Sequence, residues 1–233
     1  MIIRLGASTQ LLITQPDHAA LAGRIMQHCL GDLAGSPRRA EILAAVNEHD
    51  NGWRDVDAAP IVDPATGRLL DFIRAPDHVR QDVWPRGVEC LATTPYAAAL
   101  VAQHALEIYA RYRTDRAWQR FFADMERARD HHLRRASAAP EDLRSDYAFV
   151  RIGDLISLTF CNEWQAEHAC GAYQIRLQGE TIVVTPDPFG GRIIPFEIAG
   201  VELPAAPFSS TAAALDALRQ GRRRILTGTA RGG

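Results

Sequence analysis

Residues 147–161, YAFVRIGDLISLTFC, limit the fold of this chain more than any other segment, because they are apolar on nearly every side of a helix. A helix without a polar face is buried among other elements. Asp154 stands in the middle of this segment. Since a buried carboxylate is costly unless it is paired or bound to a metal ion, the sequence predicts that other segments supply partners for Asp154.

Histidines lie on the apolar stripes of other predicted helices. His18 heads the stripe of a helix predicted in residues 15–31, and His104 lies on that of a helix in residues 94–112. His49 and Asp50 end the inner face of a helix in residues 36–52. One such histidine usually signals a hydrogen-bonded core residue. Several on facing helices predict a metal site, and imidazole with carboxylate suits Fe, Mn, Ni, Co or Zn, as one or two ions.

The remaining segments predict an α+β fold. Residues 1–14 look strand-like, residues 53–95 look rich in loops, and a further helix is predicted in residues 115–136. From about residue 171 the chain alternates between apolar and polar residues, which is typical of strands. We therefore expect a mainly α-helical bundle in residues 1–170. A small β-rich C-terminal unit, residues 171–233, is expected to pack on it.

Composition narrows the classes of partner. The formal net charge is −2, and arginine accounts for all 26 residues counted as lysine or arginine. This charge does not favour nucleic acid or an anionic membrane, so we expect a small-molecule substrate and leave a homodimer open. The four cysteines contain no C-x-x-C pair, and neither a signal peptide nor a membrane span is evident. We therefore expect a cytoplasmic protein.

The order of the polar groups resembles the HD superfamily of metal-dependent phosphohydrolases. The matching pieces are PDHAALAGRI, ILAAVNEHDNGW and VRIGDLISL. In that superfamily some phosphodiesterases and di-iron oxygenases add two histidines between the HD doublet and the last aspartate, where this chain has His78 and His104. A second resemblance, to a bacterial family of unknown function, covers nearly the full length through ITQPDH, EHDNGW and DAAP…DPATGR…DF. The HD resemblance implies that His18, His49, Asp50 and Asp154 hold the first metal ion.

The loop after the doublet supplies candidates for the rest of a catalytic site. Many HD enzymes follow the doublet with a glycine and a phosphate-binding lysine, but here Trp53 follows Gly52, and the chain has no lysine. Arginine would then have to bind the phosphate group, and tryptophan would form an aromatic wall of the pocket. The predicted substrate-binding residues are Trp53, Arg54, Arg80 and Arg86. The predicted acid–base and pocket-lining carboxylates are Asp50, Glu48, Asp57 and Asp71.

These observations predict a metal-dependent phosphohydrolase that uses a metal-activated water on a small phosphorylated molecule, such as a nucleotide or a sugar phosphate. Two alternatives stay open. An HD-type di-iron oxygenase would use the same ligands, with His78 and His104 completing the site. A non-catalytic HD-like module would bind a ligand or a metal without turnover.

Overall fold

The computed structural model describes residues 1–233 throughout. Helices make up about half of the chain. Single 3₁₀ turns at Asn51–Trp53, Ala110–Tyr112 and Arg116–Trp118 lie between them. The helices are α1 (Gln15–Met26), α2 (Asp32–Gly35), α3 (Arg39–Glu48), α4 (Arg54–Ala58), α5 (Asp77–Cys90), α6 (Pro95–Ile108), α7 (Gln119–Arg135), α8 (Pro140–Cys161) and α9 (Thr211–Gln220).

Seven strands form one curled mixed sheet, in the order β1-β2-β6-β7-β5-β4-β3. All neighbouring strands are antiparallel except β5 and β7, which run parallel. The strands are β1 (Ile2–Leu5), β2 (Thr9–Ile13), β3 (His168–Cys170), β4 (Tyr173–Gln178), β5 (Thr181–Thr185), β6 (Ile194–Pro204) and β7 (Arg222–Gly232).

The predicted architecture, a mainly helical bundle with a small C-terminal β unit, is wrong. The fold is α+β, but the sheet is large and includes the first two strands of the chain, because β2 pairs with β6 in the register Thr9↔Pro204. An isolated two-stranded hairpin is marginally stable at best in water, so β1 and β2 gain from joining a wider sheet. The proposed domain boundary at residue 170 stays a prediction.

Most of the predicted helices are present, with shifted ends. Thr14 caps α1 by accepting a hydrogen bond from the backbone N–H of Asp17, and Pro16 lies in the first turn. Residues 53–95, predicted to be rich in loops, also contain α4 and α5, which were not predicted. Pro85 lies inside α5, where an interior proline removes a helical hydrogen bond.

Helix α8 is central, as its apolar character predicts. It packs against α1, α3 and α6 and also contacts β3, β4 and β5. Glycines allow the close approach: a Cβ on Gly153 would lie 2.7 Å from Val46 Cγ1 of α3, and one on Gly23 would lie 2.7 Å from Asn47 Oδ1. The small side chains therefore bring α1, α3 and α8 close together beside the residue that follows Gly153, which is Asp154.

The EHDNGW stretch leaves α3 and turns at once against α5. His49 follows the last residue of α3, and Asn51–Trp53 form a 3₁₀ turn. A Cβ on Gly52 would lie only 1.9 Å from the Val83 carbonyl oxygen, so the contact between this turn and α5 requires glycine. The turn thereby holds His49 and Asp50 at the inner end of α3.

The hydrophobic core joins both layers. A single cluster of 49 buried residues includes side chains from α1, α6 and α8 together with sheet residues such as Ile175, Ile182 and Phe196. None of the helices is long and apolar enough to cross a membrane.

Candidate metal centre

The polar side chains predicted from the helix faces meet where α1, α6, α8 and the end of α3 come together. One ligand atom from each of His18, His49 and Asp154 lies within 4.8 Å of the other two. Asp50 Oδ2 is 2.7 Å from His18 Nε2, and Asp154 Oδ2 is 3.7 Å from His104 Nε2. The structure therefore brings together these five residues; that they bind a metal ion stays a prediction.

His18 is fully buried between two oxygen atoms. His18 Nδ1 lies 2.9 Å from the Ser157 hydroxyl, which also lies 3.0 Å from the Asp154 backbone carbonyl. The other ring nitrogen, Nε2, faces Asp50 Oδ2, a carboxylate oxygen that only accepts. Contacts at both nitrogens therefore fix the orientation of the ring, with Nε2 turned towards the carboxylates of the cluster.

His49 is oriented in the same way. Its Nδ1–H donates to the Val46 carbonyl at 2.8 Å, which leaves the lone pair of a neutral ring on Nε2. That nitrogen lies 3.3 Å from Asp154 Oδ1 and 3.8 Å from Asp50 Oδ2, yet it makes no well-aligned hydrogen bond. Buried polar atoms in folded proteins are rarely left without a partner. A cation between this nitrogen and the two carboxylates, either a proton or a metal ion, would supply one.

Asp154 and His104 form the other side of the centre. Asp154 is the most exposed of the five, with 17% of its side chain accessible, while the other four side chains are at most 7% exposed. His104 Nδ1 lies 3.3 Å from the Tyr147 hydroxyl. Its Nε2 is the nitrogen that faces Asp154. The side occupied by Asp154 is therefore the most open approach to the centre.

Three residues in contact with the centre were not predicted: Gln15, Tyr147 and Ser157. The Gln15 amide donates to Asp50 Oδ2 at 3.1 Å, and its own oxygen is buried without a partner. Helical spacing could have identified Ser157 and Tyr147, because they lie three residues after and seven residues before Asp154 on α8. Gln15 lies three residues before His18, at the start of α1.

The charges in the centre stabilise one another. Burial by itself would lower the pKa of His49, but the charges of Asp50 and Asp154 outweigh it and raise the pKa to about 9. Burial would raise the pKa of Asp154, yet His49 and the other histidines lower it to about 2. The pKa of Asp50 is also lowered, against burial, by His49 and His18. Burial dominates at His104 and lowers its pKa to about 4, so that ring is neutral.

The donor atoms fit a transition-metal ion. With metal–ligand bonds of about 2.1 Å, adjacent ligand atoms lie about 3 Å apart and opposite ones about 4.2 Å apart. The observed separations run from 2.7 Å to 3.8 Å along the named pairs, which is within this range. The limit of 4.8 Å within which the His18, His49 and Asp154 ligand atoms lie is wider, so these side chains would have to close in on a bound ion. The second nitrogen of His18 and of His49 is tied to an oxygen outside the group, as is usual for metal-bound histidines.

Four other predicted residues lie elsewhere. His78 is exposed in the first turn of α5 and shares no contact with the cluster. Glu48 accepts a hydrogen bond from the Asn47 side chain. Asp57 is buried and pairs with the Met1 amine and the Gln15 backbone N–H, each at 2.5 Å, and burial raises its pKa. Asp71 accepts from the backbone of its own turn, at Arg74.

The predicted substrate-binding residues are also scattered. Trp53 is buried in the core. Arg80 is paired with Asp77 and lies against the rings of the Tyr109–Trp118 aromatic cluster. Arg54 is exposed, and Arg86 is half-exposed and 3.8 Å from Asp55 Oδ2. The structure does not bring these side chains to the cluster of His18, His49, Asp50, His104 and Asp154, and their role in binding stays a prediction.

The family follows from comparison with known proteins. A family model described as "Protein of unknown function (DUF3891)" matches residues 1–205. The chain belongs to the DUF3891 family. No curated protein and no solved structure matches it. The HD-superfamily resemblance is wrong, since the match is to DUF3891 and the helices pack with a curled sheet instead of forming an HD bundle. DUF3891 brings no activity with it, so a function has to be argued from the centre itself.

Proposed function

We propose that the centre binds a divalent transition-metal ion through His18, His49 and Asp154, with Asp50 and His104 beside them. One observation carries the proposal. His18 and His49 each have Nδ1 tied to an oxygen, so their Nε2 atoms face the carboxylates of Asp50 and Asp154 in a buried space. A single cation between these atoms satisfies all four groups at once.

We further propose that the protein is a metal-dependent hydrolase acting on the phosphoric ester of a small molecule. A divalent ion supplies two properties at such a site: it lowers the pKa of water towards neutrality, and it neutralises charge on a phosphoryl oxygen. The protein's own residues orient the ligand side chains and shield them from bulk water. Gln15 and Ser157 hold Asp50 and His18 in place, and burial of the histidines keeps bulk water out. The open side at Asp154 leaves room for a substrate oxygen.

Asp50 is the best-placed proton acceptor among the side chains. Its Oδ2 atom lies 2.7 Å from His18 Nε2 and is held by the Gln15 amide. A carboxylate whose pKa is held low stays ionised near neutral pH and can take a proton only transiently. The di-iron oxygenase alternative has no support at this site, because it requires His78, which lies outside the cluster.

A non-catalytic ion-pair network is the second candidate. The carboxylates of Asp50 and Asp154 raise the pKa of His49 to about 9, so a proton on His49 can balance part of their charge. In that case the centre would hold α1, α3, α6 and α8 together without a metal.

We also propose that the protein is cytoplasmic. Its four free cysteines support this proposal, because cysteines stay reduced in that compartment.

Elemental analysis separates the two candidates. The chain is purified without added metal and compared with Asp50→Ala, and each is then incubated with Mn²⁺, Co²⁺ or Zn²⁺ and dialysed. The metal-centre proposal expects about one ion per chain in the native protein and a clear loss in the variant. Equal metal content in both proteins would refute the site. A screen of nucleotides, sugar phosphates and p-nitrophenyl phosphate, with and without chelator, then tests the hydrolase proposal.

A further inference from the structure

A groove of about 660 Å³ lies along α8 and is lined in part by Tyr147, the residue whose hydroxyl contacts His104 of the cluster. Its walls come from the N-terminal half of α8, the connection between α1 and α2, and the hairpin of β3 and β4. Pockets for small organic ligands typically measure about 300–1,000 Å³. More than half of the residues that line this groove, 8 of 15, are hydrophobic, so its size and lining suit a small molecule with an apolar part.

Tyr147 connects the groove to the centre. It is one of the residues that line the groove, and its hydroxyl lies 3.3 Å from Nδ1 of His104. His104 in turn faces Asp154 through Nε2. A single side chain therefore separates the groove from the histidine next to the proposed ion.

The spacing of residues on α8 also connects the groove with Asp154. Tyr147, Arg151 and Asp154 follow one another at intervals of four and three residues, so they share one stripe of the helix. Asp154 is the most exposed of the clustered side chains. A molecule seated in the groove and extending along this stripe reaches the open side of the centre.

The charged side chains of the groove define the anionic group that it accepts. Arg151 is exposed and has no acidic partner, whereas Arg144 pairs with Glu141 at 3.0 Å. A free guanidinium matches the geometry of a phosphate or carboxylate group. Asp32 and Asp146 also line the groove, and their negative charges disfavour a ligand with several phosphates.

We propose that this groove binds the substrate, a monophosphate ester whose aromatic or apolar part lies against Tyr173 and whose phosphate lies between Arg151 and the open side of Asp154. Tyr173 is half-buried and is one of the residues that line the groove, where it provides an aromatic surface. This assignment rests on the proposed hydrolase function, for which it names the substrate class and the binding surface.

Calorimetric titration of the full chain with phenyl phosphate tests the proposal. Arg151→Gln should weaken binding by about 10-fold to 100-fold, the usual effect of losing a charge-assisted hydrogen bond, and Arg151→Lys should recover part of it. Arg144→Gln is the matched control, because that arginine lines the same groove but is already paired, and it should change affinity by less than about threefold. Ala172→Trp, at an exposed position of the hairpin, should block the groove. Metal content should be equal in all of these proteins.

The outcomes separate this inference from the hydrolase proposal. If the native protein does not bind phenyl phosphate, or if Arg151→Gln and Ala172→Trp bind it as the native protein does, the groove assignment is overturned. If binding depends on Arg151 but the protein neither holds metal nor hydrolyses phosphate esters, the groove assignment stands and the hydrolase proposal fails. If esters are hydrolysed and Arg151→Gln leaves both KM and binding unchanged, the hydrolase stands and the groove assignment fails.

Discussion

Replacing Asp154 with asparagine removes one negative charge from the centre and keeps the size of the side chain. The carboxylate oxygens lie 3.3 Å and 3.7 Å from Nε2 of His49 and His104, so an ion bound among them sits within about 4 Å of this charge, at metal–ligand bond lengths of about 2.1 Å. Two unit charges at 4 Å interact by about 4 kcal/mol at an effective dielectric constant of 20. Because about 1.4 kcal/mol corresponds to a tenfold change in affinity, Asp154→Asn should weaken metal binding at least about 1,000-fold.

The assay measures metal affinity directly. Both proteins are stripped with a chelator, dialysed and titrated with Co²⁺, whose visible absorption reports the coordination of the ion. Asp146→Asn is the matched control, since it makes the same chemical change on the same helix, at a carboxylate that accepts the Tyr96 hydroxyl at 2.6 Å. Circular dichroism and thermal unfolding establish that each variant is folded, and His104→Gln gives a second test if Asp154→Asn is not.

Two results would contradict this prediction. If Asp154→Asn binds Co²⁺ within about tenfold of the native affinity, the charge of Asp154 does not contribute to metal binding as expected. If the native protein binds none of the ions offered, the centre is an ion-pair network. In that case Asp154→Asn should still destabilise the fold, since breaking a buried pair typically costs about 3–5 kcal/mol.

Three further predictions concern the centre and the residues that pack around it. Gly153→Ala places a Cβ 2.7 Å from Val46 Cγ1 and should destabilise the fold by about 1–3 kcal/mol, seen as a lower Tm in calorimetry; an unchanged Tm would contradict the close packing of α8. Ser157→Ala removes the hydrogen-bond partner of His18 Nδ1 and should weaken metal binding about 10-fold to 100-fold in competition with a chromophoric chelator, whereas an unchanged affinity would mean that Ser157 does not orient the ring. In the metal-free protein the pKa of His49 is raised to about 9, so its contribution to stability is complete below the unfolded pKa of about 6.5 and is lost as pH rises through about 9. Urea unfolding between pH 6 and 10 should show this decline, and His49→Gln should remove it; a decline that persists in the variant would assign the effect to another group.

The helix that carries Asp154 could be predicted from the sequence, because its apolar residues cover nearly every side. The same reasoning placed His18 and His104 on inner faces, since the helical period determines which residues share a side. It also distinguished His104, which lies on an apolar stripe, from His78, which does not, although both lie between the HD doublet and Asp154. Only the packing of α6 against α8 brings His104 into the cluster, while α5 leaves His78 at the surface.

The sheet and the substrate contacts were harder to predict. Strand-like residues at both ends of the chain were evident, but their pairing was not, because β2 and β6 are brought together by contacts between residues far apart in sequence. Helix α5 was not predicted, because it lies in residues 53–95, which were expected to be rich in loops. The arginines expected to bind substrate were chosen by their distance along the chain from the doublet, which does not report distance in space.

The sequence by itself determined which donor groups lie on buried faces, because local periodicity decides whether a side chain points inward. Tertiary structure alone decided that the ring nitrogens of His18 and His49 face Asp50 and Asp154, and that a groove lies behind Tyr147. These properties depend on how closely the helices pack against one another. Such close packing arises from glycines such as Gly153 meeting residues of another helix, a long-range contact that the pattern along one helix cannot encode.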